Sequence, residues 1–134
     1  MFSNKPFTST NEVTYSQVYQ AGRYYLVGAI PLGSYTVKIV ETHLDLNQST
    51  HTGDKRTAQI QQLITDFAND DYVIIAGDFN VADSSEYDTF KNAGYTTANH
   101  GYLGDIITQP AKSACADNII CKGFAINNIQ TVDD

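Results

Sequence analysis

The 134-residue chain falls within the size range of one domain, and a chain of this length can bury roughly two-thirds of its unfolded surface. Its 42% hydrophobic content, with 9 Tyr and 6 Phe, indicates a globular protein and excludes a disordered one. The formal net charge of −7 disfavours a general nucleic-acid-binding protein, because such a surface repels polyanions. A metal-bridged phosphate substrate is not excluded, because carboxylates that hold a cation contribute to the same negative charge.

The first half of the chain predicts strands. Residues 13–20 alternate apolar and polar side chains over part of their length, which indicates an edge strand or a loop with strand character. Residues 23–32 and 35–44 are richer in β-branched and aromatic side chains. Because Pro31 and Gly33 end the first run and the second run follows immediately, the sequence predicts an antiparallel hairpin joined by a Pro/Gly turn.

The second half predicts one long helix, one short helix and three strands. Residues 54–69 have the apolar periodicity of a helix, with Thr52 and Asp54 as candidate caps, and residues 84–93 predict a shorter helix closed by Gly94. Residues 72–76 are apolar without alternation, which is typical of a central strand. Residues 95–116 are expected to be mostly loop, and residues 117–121 and 124–132 to be strands.

The cysteines and the N-terminal residues do not determine the cellular compartment of the protein. Cys115 and Cys121 lack zinc-site spacing, so we expect two free thiols, with a hairpin disulfide as the alternative. The sequence has no apolar run that resembles a secretion signal or a membrane span. Free thiols are consistent with the cytoplasm, and the localisation stays open because the chain is expected to be part of a longer protein.

The motif Gly77-Asp78-Phe79-Asn80 follows the predicted central strand. Open α/β sheets place ligand-binding groups at such strand ends, and Asp78 and Asn80 would point to the same side in extended geometry. A simple turn after a strand explains an isolated Asp-x-Asn equally well.

His43 and Asp117 are two further candidates. His43 follows Thr42 at the end of a predicted strand, where an imidazole can exchange a proton near neutral pH or hydrogen-bond an anionic oxygen. Asp117 precedes an apolar strand and could orient an imidazole or lie near a cation. A surface histidine and an ordinary strand-entry aspartate are the alternatives, and His51 and His100 are interpreted as loop residues.

The order of these motifs is more informative than any one of them. A strand ending in Thr-His-Leu, a helix with Arg56 and Gln59, a strand ending in GDFN, a short helix and an Asp-Asn-Ile strand follow one another along the chain. This succession resembles the endonuclease/exonuclease/phosphatase superfamily. The resemblance implies an α/β fold: one half of a four-layer α/β sandwich, with a mostly antiparallel or mixed sheet and one long and one short helix on its outer face.

The resemblance also implies roles for the candidate residues. His43 would contact the scissile phosphate and stabilise its developing charge, and Asp78 would orient or deprotonate the attacking water. Asn80 would hydrogen-bond the phosphate or the cation, and Asp117 would support the phosphate-contacting cluster. Asp78 and Asn80 would contact Mg²⁺ or Mn²⁺, because hard cations prefer oxygen ligands.

The resemblance covers only the second half of such a domain. The principal metal-binding Glu and an Asn would lie upstream of this chain and a closing Ser-Asp-His motif downstream, so residues 1–134 are expected to be a single, truncated domain with residues 1–12 flexible. The bare inner face of its sheet would be covered by a second copy of the chain, by the missing half or by rearrangement.

The expected function is metal-dependent hydrolysis of a phosphate ester, weak or absent in this chain alone. The alternative is a non-catalytic binding or structural module on the same scaffold. The substrate could be a nucleic acid, a small phosphorylated compound or a lipid head group. The acidic charge favours the last two.

Overall fold

The computed structural model describes residues 3–19, 22–46, 55–81, 84–99, 106–108, 116–127 and 129. It is an α/β structure with strands β1 (Ser9–Thr14), β2 (Tyr24–Leu32), β3 (Tyr35–His43), β4 (Val73–Asp78), β5 (Thr96–Thr97) and β6 (Asp117–Lys122). Helix α1 (Lys55–Asp66) precedes β4, and a 3₁₀ turn (Ser84–Tyr87) leads into the short helix α2 (Asp88–Asn92).

The six strands form one mixed sheet in the order β1-β2-β3-β4-β6-β5. Strands β3 and β4 are parallel, and the other neighbours are antiparallel. The parallel pair needs a crossover, which α1 provides. This arrangement confirms the predicted fold class, a mixed sheet with one long and one short helix as a partial α/β sandwich.

The sheet has two faces, which are assigned by the pairing register. Val27, Val40, Ile75 and Ile120 are paired across four strands and point to one face, here called the helix face. Helix α1 packs against this face through Ile60 and Leu63, which the spacing i, i+3 places on one side of the helix, and Phe67 joins the same core directly after the helix ends. Each such fully buried side chain contributes roughly 1.5–3 kcal/mol.

The opposite face, here called the open face, carries apolar side chains that are less well covered. One row across the sheet contains Leu26, Glu41, Ala76 and Ile119, and Ile119 is 48% exposed. The next row contains Gly28, Ile39, Ile74 and Cys121. A side chain on Gly28 would collide with the ring of Phe7, so the N-terminal segment covers part of this row.

Several helix and strand boundaries in the structure differ from the predicted ones. The hairpin and the central strand are confirmed, and α1 is confirmed over Lys55–Asp66, while its candidate caps Thr52 and Asp54 lie outside the described residues. The edge strand is Ser9–Thr14 rather than residues 13–20, so β1 begins within the stretch that was expected to be flexible. Cys121 is a buried free thiol, and Cys115 lies outside the described residues.

The predicted strand at residues 124–132 is wrong for its described part, since residues 124–127 and 129 are not in a strand. The chain leaves the sheet at Gly123, whose φ of 80° belongs to the left-handed region. A side chain at Gly123 would collide with the carbonyl oxygen of Asp71. The ring of Phe124 instead packs edge-on against Tyr72, with 5.6 Å between the ring centroids.

Candidate active site

Three of the four residues singled out in the sequence lie in one row across the sheet. His43 ends β3, Asp78 ends β4 and Asp117 begins β6, and the register pairs His43 with Asp78 and Asp78 with Asp117. Because paired residues point to the same side of a sheet, the three side chains project from the open face at one end. The structure therefore brings together motifs that are up to 74 positions apart in the chain (117 − 43 = 74).

The row is accessible to solvent and rich in charge. The side chains of His43 and Asp78 are 57% and 29% exposed, and 3.6 Å separates the His43 Nε2 atom from the nearer Asp78 oxygen, Oδ2. That distance is too long for a hydrogen bond but allows an ion pair when the imidazole is protonated. Asp117 is exposed, and its backbone N–H donates to the Thr108 hydroxyl at 3.0 Å.

Asn80, the fourth candidate, lies in the turn that follows β4. Its φ of 51° is left-handed, a conformation that asparagine tolerates better than most residues. Its backbone N–H donates to Asp78 Oδ1 at 2.8 Å, and its side-chain Nδ2 donates to the Leu44 carbonyl at 2.8 Å. The first bond orients the Asp78 carboxylate, and the second ties the turn to the chain after His43.

Gly77 sets the separation of the two strands just before His43 and Asp78. It has a φ of 147°, which disfavours any side chain, and it is paired with Thr42 of β3. A Cβ atom at this position would overlap the Thr42 carbonyl oxygen. The glycine of the GDFN motif therefore allows a close backbone approach between β3 and β4.

A buried polar network supports the chain after His43, and sequence reasoning missed its central residue. The Asp45 carboxylate is fully buried and accepts hydrogen bonds from the Tyr19 backbone N–H at 2.7 Å and the Gln59 side chain at 2.9 Å. Arg23 pairs with the same carboxylate at 3.2 Å and also donates to the His43 carbonyl. The one available signal was an aspartate directly after the apolar end of a strand.

A cavity of about 220 Å³ opens beside His43 on the side of β2. Its lining combines an aromatic ring, an aliphatic side chain and groups of both charges, contributed by Gly22, Arg23, Tyr24, Leu26, Glu41, Thr42 and His43. It lies at the end of the open face where the candidate residues project.

The candidate residues fit a divalent cation only in part. Asp78 and Asp117 are directly opposite on antiparallel strands, a placement of like charges that is destabilising and that a cation would relieve. In the described part of the chain, however, three or more His, Cys, Asp or Glu side chains do not gather into a group that could hold a metal ion. The described residues can therefore contribute ligands but do not complete a site.

Comparisons with known proteins identify the fold. No protein-family model matches the chain, and the search of curated proteins gave no match. Among solved structures, sphingomyelinase C from Streptomyces griseocarneus matches 92% of this chain and 52% of its own, with 19% identity and a TM-score of 0.66. D. rerio TDP2 complexed with single-strand DNA product matches 87% of this chain and 52% of its own, with 16% identity and a TM-score of 0.61.

A third solved structure, an endonuclease/exonuclease/phosphatase family protein from Leptotrichia buccalis, matches 87% of this chain and 50% of its own, with 15% identity and a TM-score of 0.61. The chain thus spans about half the length of the solved structures that it matches. Within the described residues, no helix is long and apolar enough to cross a membrane.

Proposed function

We propose that this chain, which has the fold of the endonuclease/exonuclease/phosphatase superfamily over about half of that domain, forms part of a phosphoester hydrolase. The observation that carries the proposal is the row of His43, Asp78 and Asp117 at one end of the open face. An imidazole and two carboxylates aligned on adjacent strands are the groups that general acid–base hydrolysis uses.

Each residue has a role in the proposed reaction. His43 donates a hydrogen bond to a phosphate oxygen as negative charge develops there, because its imidazole is exposed to solvent at the end of the open face. Asp78, held by the Asn80 N–H, orients the attacking water and accepts its proton. The Asn80 carboxamide contacts the phosphate or the cation, and Asp117 supports the same cluster.

The proposal includes a divalent cation, Mg²⁺ or Mn²⁺. Asp78 and Asn80 would be the ligands that this chain contributes, since carboxylate and carboxamide oxygens suit hard cations and Mg²⁺ often binds through one or two carboxylates and the substrate phosphates. When bound, such a cation neutralises charge on the phosphate oxygens. The remaining ligands would come from residues outside the described part of the chain.

The proposed substrate is a phosphate ester, either a diester or a monoester, and its class is open to test. One structural neighbour holds a single-strand DNA product and another is a sphingomyelinase. The net charge of −7 opposes the approach of a polyanion, so a small phosphorylated compound or a lipid head group is favoured over nucleic acid.

The test is hydrolysis of bis(p-nitrophenyl) phosphate by the intact natural protein in Mg²⁺, compared with its His43→Ala and Asp78→Asn variants. Each substitution is expected to lower kcat roughly 100-fold or more, because each removes a group that acts on the transition state. Removal of divalent ions with a chelator is expected to abolish hydrolysis, and Mn²⁺ to restore it.

Matched controls separate catalysis from folding. Thr36→Ala changes an exposed residue near the other end of β3, and Asp88→Asn removes an exposed carboxylate from α2. Both are expected to keep the activity of the natural protein. If His43→Ala and Asp78→Asn hydrolyse the diester as fast as these controls, the chain is a binding or structural module instead of part of a hydrolase.

A further inference from the structure

Arg56, in the first turn of α1, makes a charged contact beneath the candidate site. Its side chain is almost completely buried, with 3% of its surface exposed. The guanidinium pairs with Glu86 of the 3₁₀ turn, with Nε donating to Oε2 at 2.7 Å, and Nη1 donates to the Asn80 carbonyl oxygen. A buried guanidinium held by a carboxylate is a rigid donor, because its N–H groups lie in a fixed plane.

The hydrogen bond from Arg56 to the Asn80 carbonyl acts on a residue whose backbone conformation depends on its contacts. Asn80 has a left-handed backbone, which costs free energy and persists only where surrounding contacts determine it. The peptide N–H of the same residue is the donor that orients Asp78 Oδ1. Arg56 therefore binds the carbonyl of Asn80, and the N–H of the same residue binds Asp78, the proposed base.

Asn80 also transmits this contact to the strand that carries His43. Its Nδ2 atom donates to the Leu44 carbonyl, and the Leu44 N–H donates to the Asp78 carbonyl at 2.9 Å. The turn after β4 and the chain after β3 are thus joined by two hydrogen bonds next to the site. A shift of Asn80 would change the position of the Asp78 carboxylate relative to the imidazole of His43.

We infer that Arg56 is a positioning residue for the proposed hydrolase: it fixes the left-handed turn at Asn80 and thereby the orientation of the Asp78 carboxylate. Arg56 is a buried residue of α1, the helix that packs on the helix face of the sheet. The inference rests on the proposed function for its kinetic consequence, whereas the structural link can be tested without activity.

The direct test is amide hydrogen exchange, resolved by NMR, in the chain and its Arg56→Met variant. The Asn80 N–H is expected to exchange about tenfold faster or more in the variant, because a lost charged hydrogen bond changes a local opening equilibrium by that order. The N–H groups of Leu63 and Ile75 in the core are expected to keep their protection.

Two further variants keep the test decisive if Arg56→Met does not fold. Arg56→Lys retains the charge without the planar fork and is expected to give an intermediate acceleration at Asn80. Gln62→Ala removes another polar contact of α1, the one to Ser16, and is expected to leave Asn80 unchanged. Unchanged exchange at Asn80 in both Arg56 variants, or equal acceleration of the core amides, overturns the inference.

The kinetic arm uses the intact natural protein. Arg56→Lys is expected to lower kcat for the diester by about tenfold with KM little changed, because the carboxylate is misplaced while substrate contacts remain. Gln62→Ala is expected to match the natural protein in both constants. A higher KM with unchanged kcat contradicts the positioning role. If exchange at Asn80 responds as expected while His43→Ala keeps full activity, the proposed function fails and the structural link stands.

Discussion

At the scale of single residues, the GDFN motif combines two backbone requirements with its chemistry. Gly77 permits the close approach of β4 to Thr42, and Asn80 adopts the left-handed turn that points its N–H at Asp78. The Phe79 side chain between them is fully buried and packs edge-on against Tyr87 and Phe90. The apolar core therefore anchors the segment that carries the proposed base.

Replacement of Gly77 by alanine is expected to destabilise the chain by about 3 kcal/mol or more, because the Cβ atom would meet the Thr42 carbonyl and the backbone conformation disfavours a side chain. Urea unfolding measures the loss. Gly33→Ala is the matched control, since Gly33 also has a positive φ, of 63°, but a Cβ there would meet no atom within 4 Å. It is expected to lose only about 1 kcal/mol. Equal losses would show that the close approach to Thr42 is unimportant.

The positions of His43, Asp78, Asn80 and Asp117 could be predicted as strand ends, because each flanks a run of apolar or β-branched residues. Their alignment could not, because it depends on the register between strands that are distant in sequence. The contacts by which Asp45 and Arg56 support the candidate site could not be predicted from the sequence either. A charged residue that is buried by its partners has the same local pattern as one on the surface.

At the scale of elements, the hairpin, α1 and the central strand followed from periodicity and turn residues, which are local properties. The strand predicted at residues 124–132 failed because Gly123 turns the chain out of the sheet, and no partner strand receives residues 124–127 among those described. Strand β5 has only two residues and is defined by its pairing with β6. Such elements depend on tertiary contacts that hydrophobic patterns do not contain.

At the scale of the whole molecule, buried tyrosines make the free energy of unfolding depend on pH in the alkaline range. Burial raises the pKa of Tyr95 to about 12, and burial likewise raises the pKa values of Tyr15 and Tyr25. The unfolded chain ionises these groups near their ordinary value of about 10. Above that pH the unfolded state loses protons that the folded state retains. The contribution of these tyrosines to the free energy of unfolding is therefore complete below pH 10 and is lost as the pH rises above that value.

Tyr95→Phe tests this dependence with little structural change, since the Tyr95 hydroxyl is buried and has no hydrogen-bond partner among the described residues. Between pH 10 and pH 12 the free energy of unfolding of the natural chain is expected to fall by up to about 1.4 kcal/mol per pH unit for each buried tyrosine. The variant is expected to lose less over this window. Tyr35→Phe, at an exposed position, is the control. Urea unfolding measures this free energy at each pH. An equal fall between pH 10 and pH 12 in all three proteins would contradict the prediction.

The open face determines how the 134-residue chain behaves in isolation. Leu26, Ile39, Ile74 and Ile119 lie on it and retain solvent contact, although the chain spans only about half of the related solved structures. Exposed apolar surface of this kind favours association, because burying it releases roughly 25 cal/mol per Å². We expect the isolated chain to bind a hydrophobic dye and to associate with a second copy as its concentration rises.

Ile119→Lys is expected to reduce both dye fluorescence and association, because it places a charge on this surface. Ile119 is already 48% exposed, so its replacement leaves little cavity. Light scattering coupled to size-exclusion chromatography measures the association. Ile107→Lys makes the same change at a residue that is 44% exposed outside the strands, and it is expected to behave like the natural chain. A natural chain that stays monomeric and binds no dye would mean that the open face is covered by the chain itself. Equal effects of the two lysine substitutions would instead point to charge alone as the cause, because each variant lowers the net negative charge by the same amount.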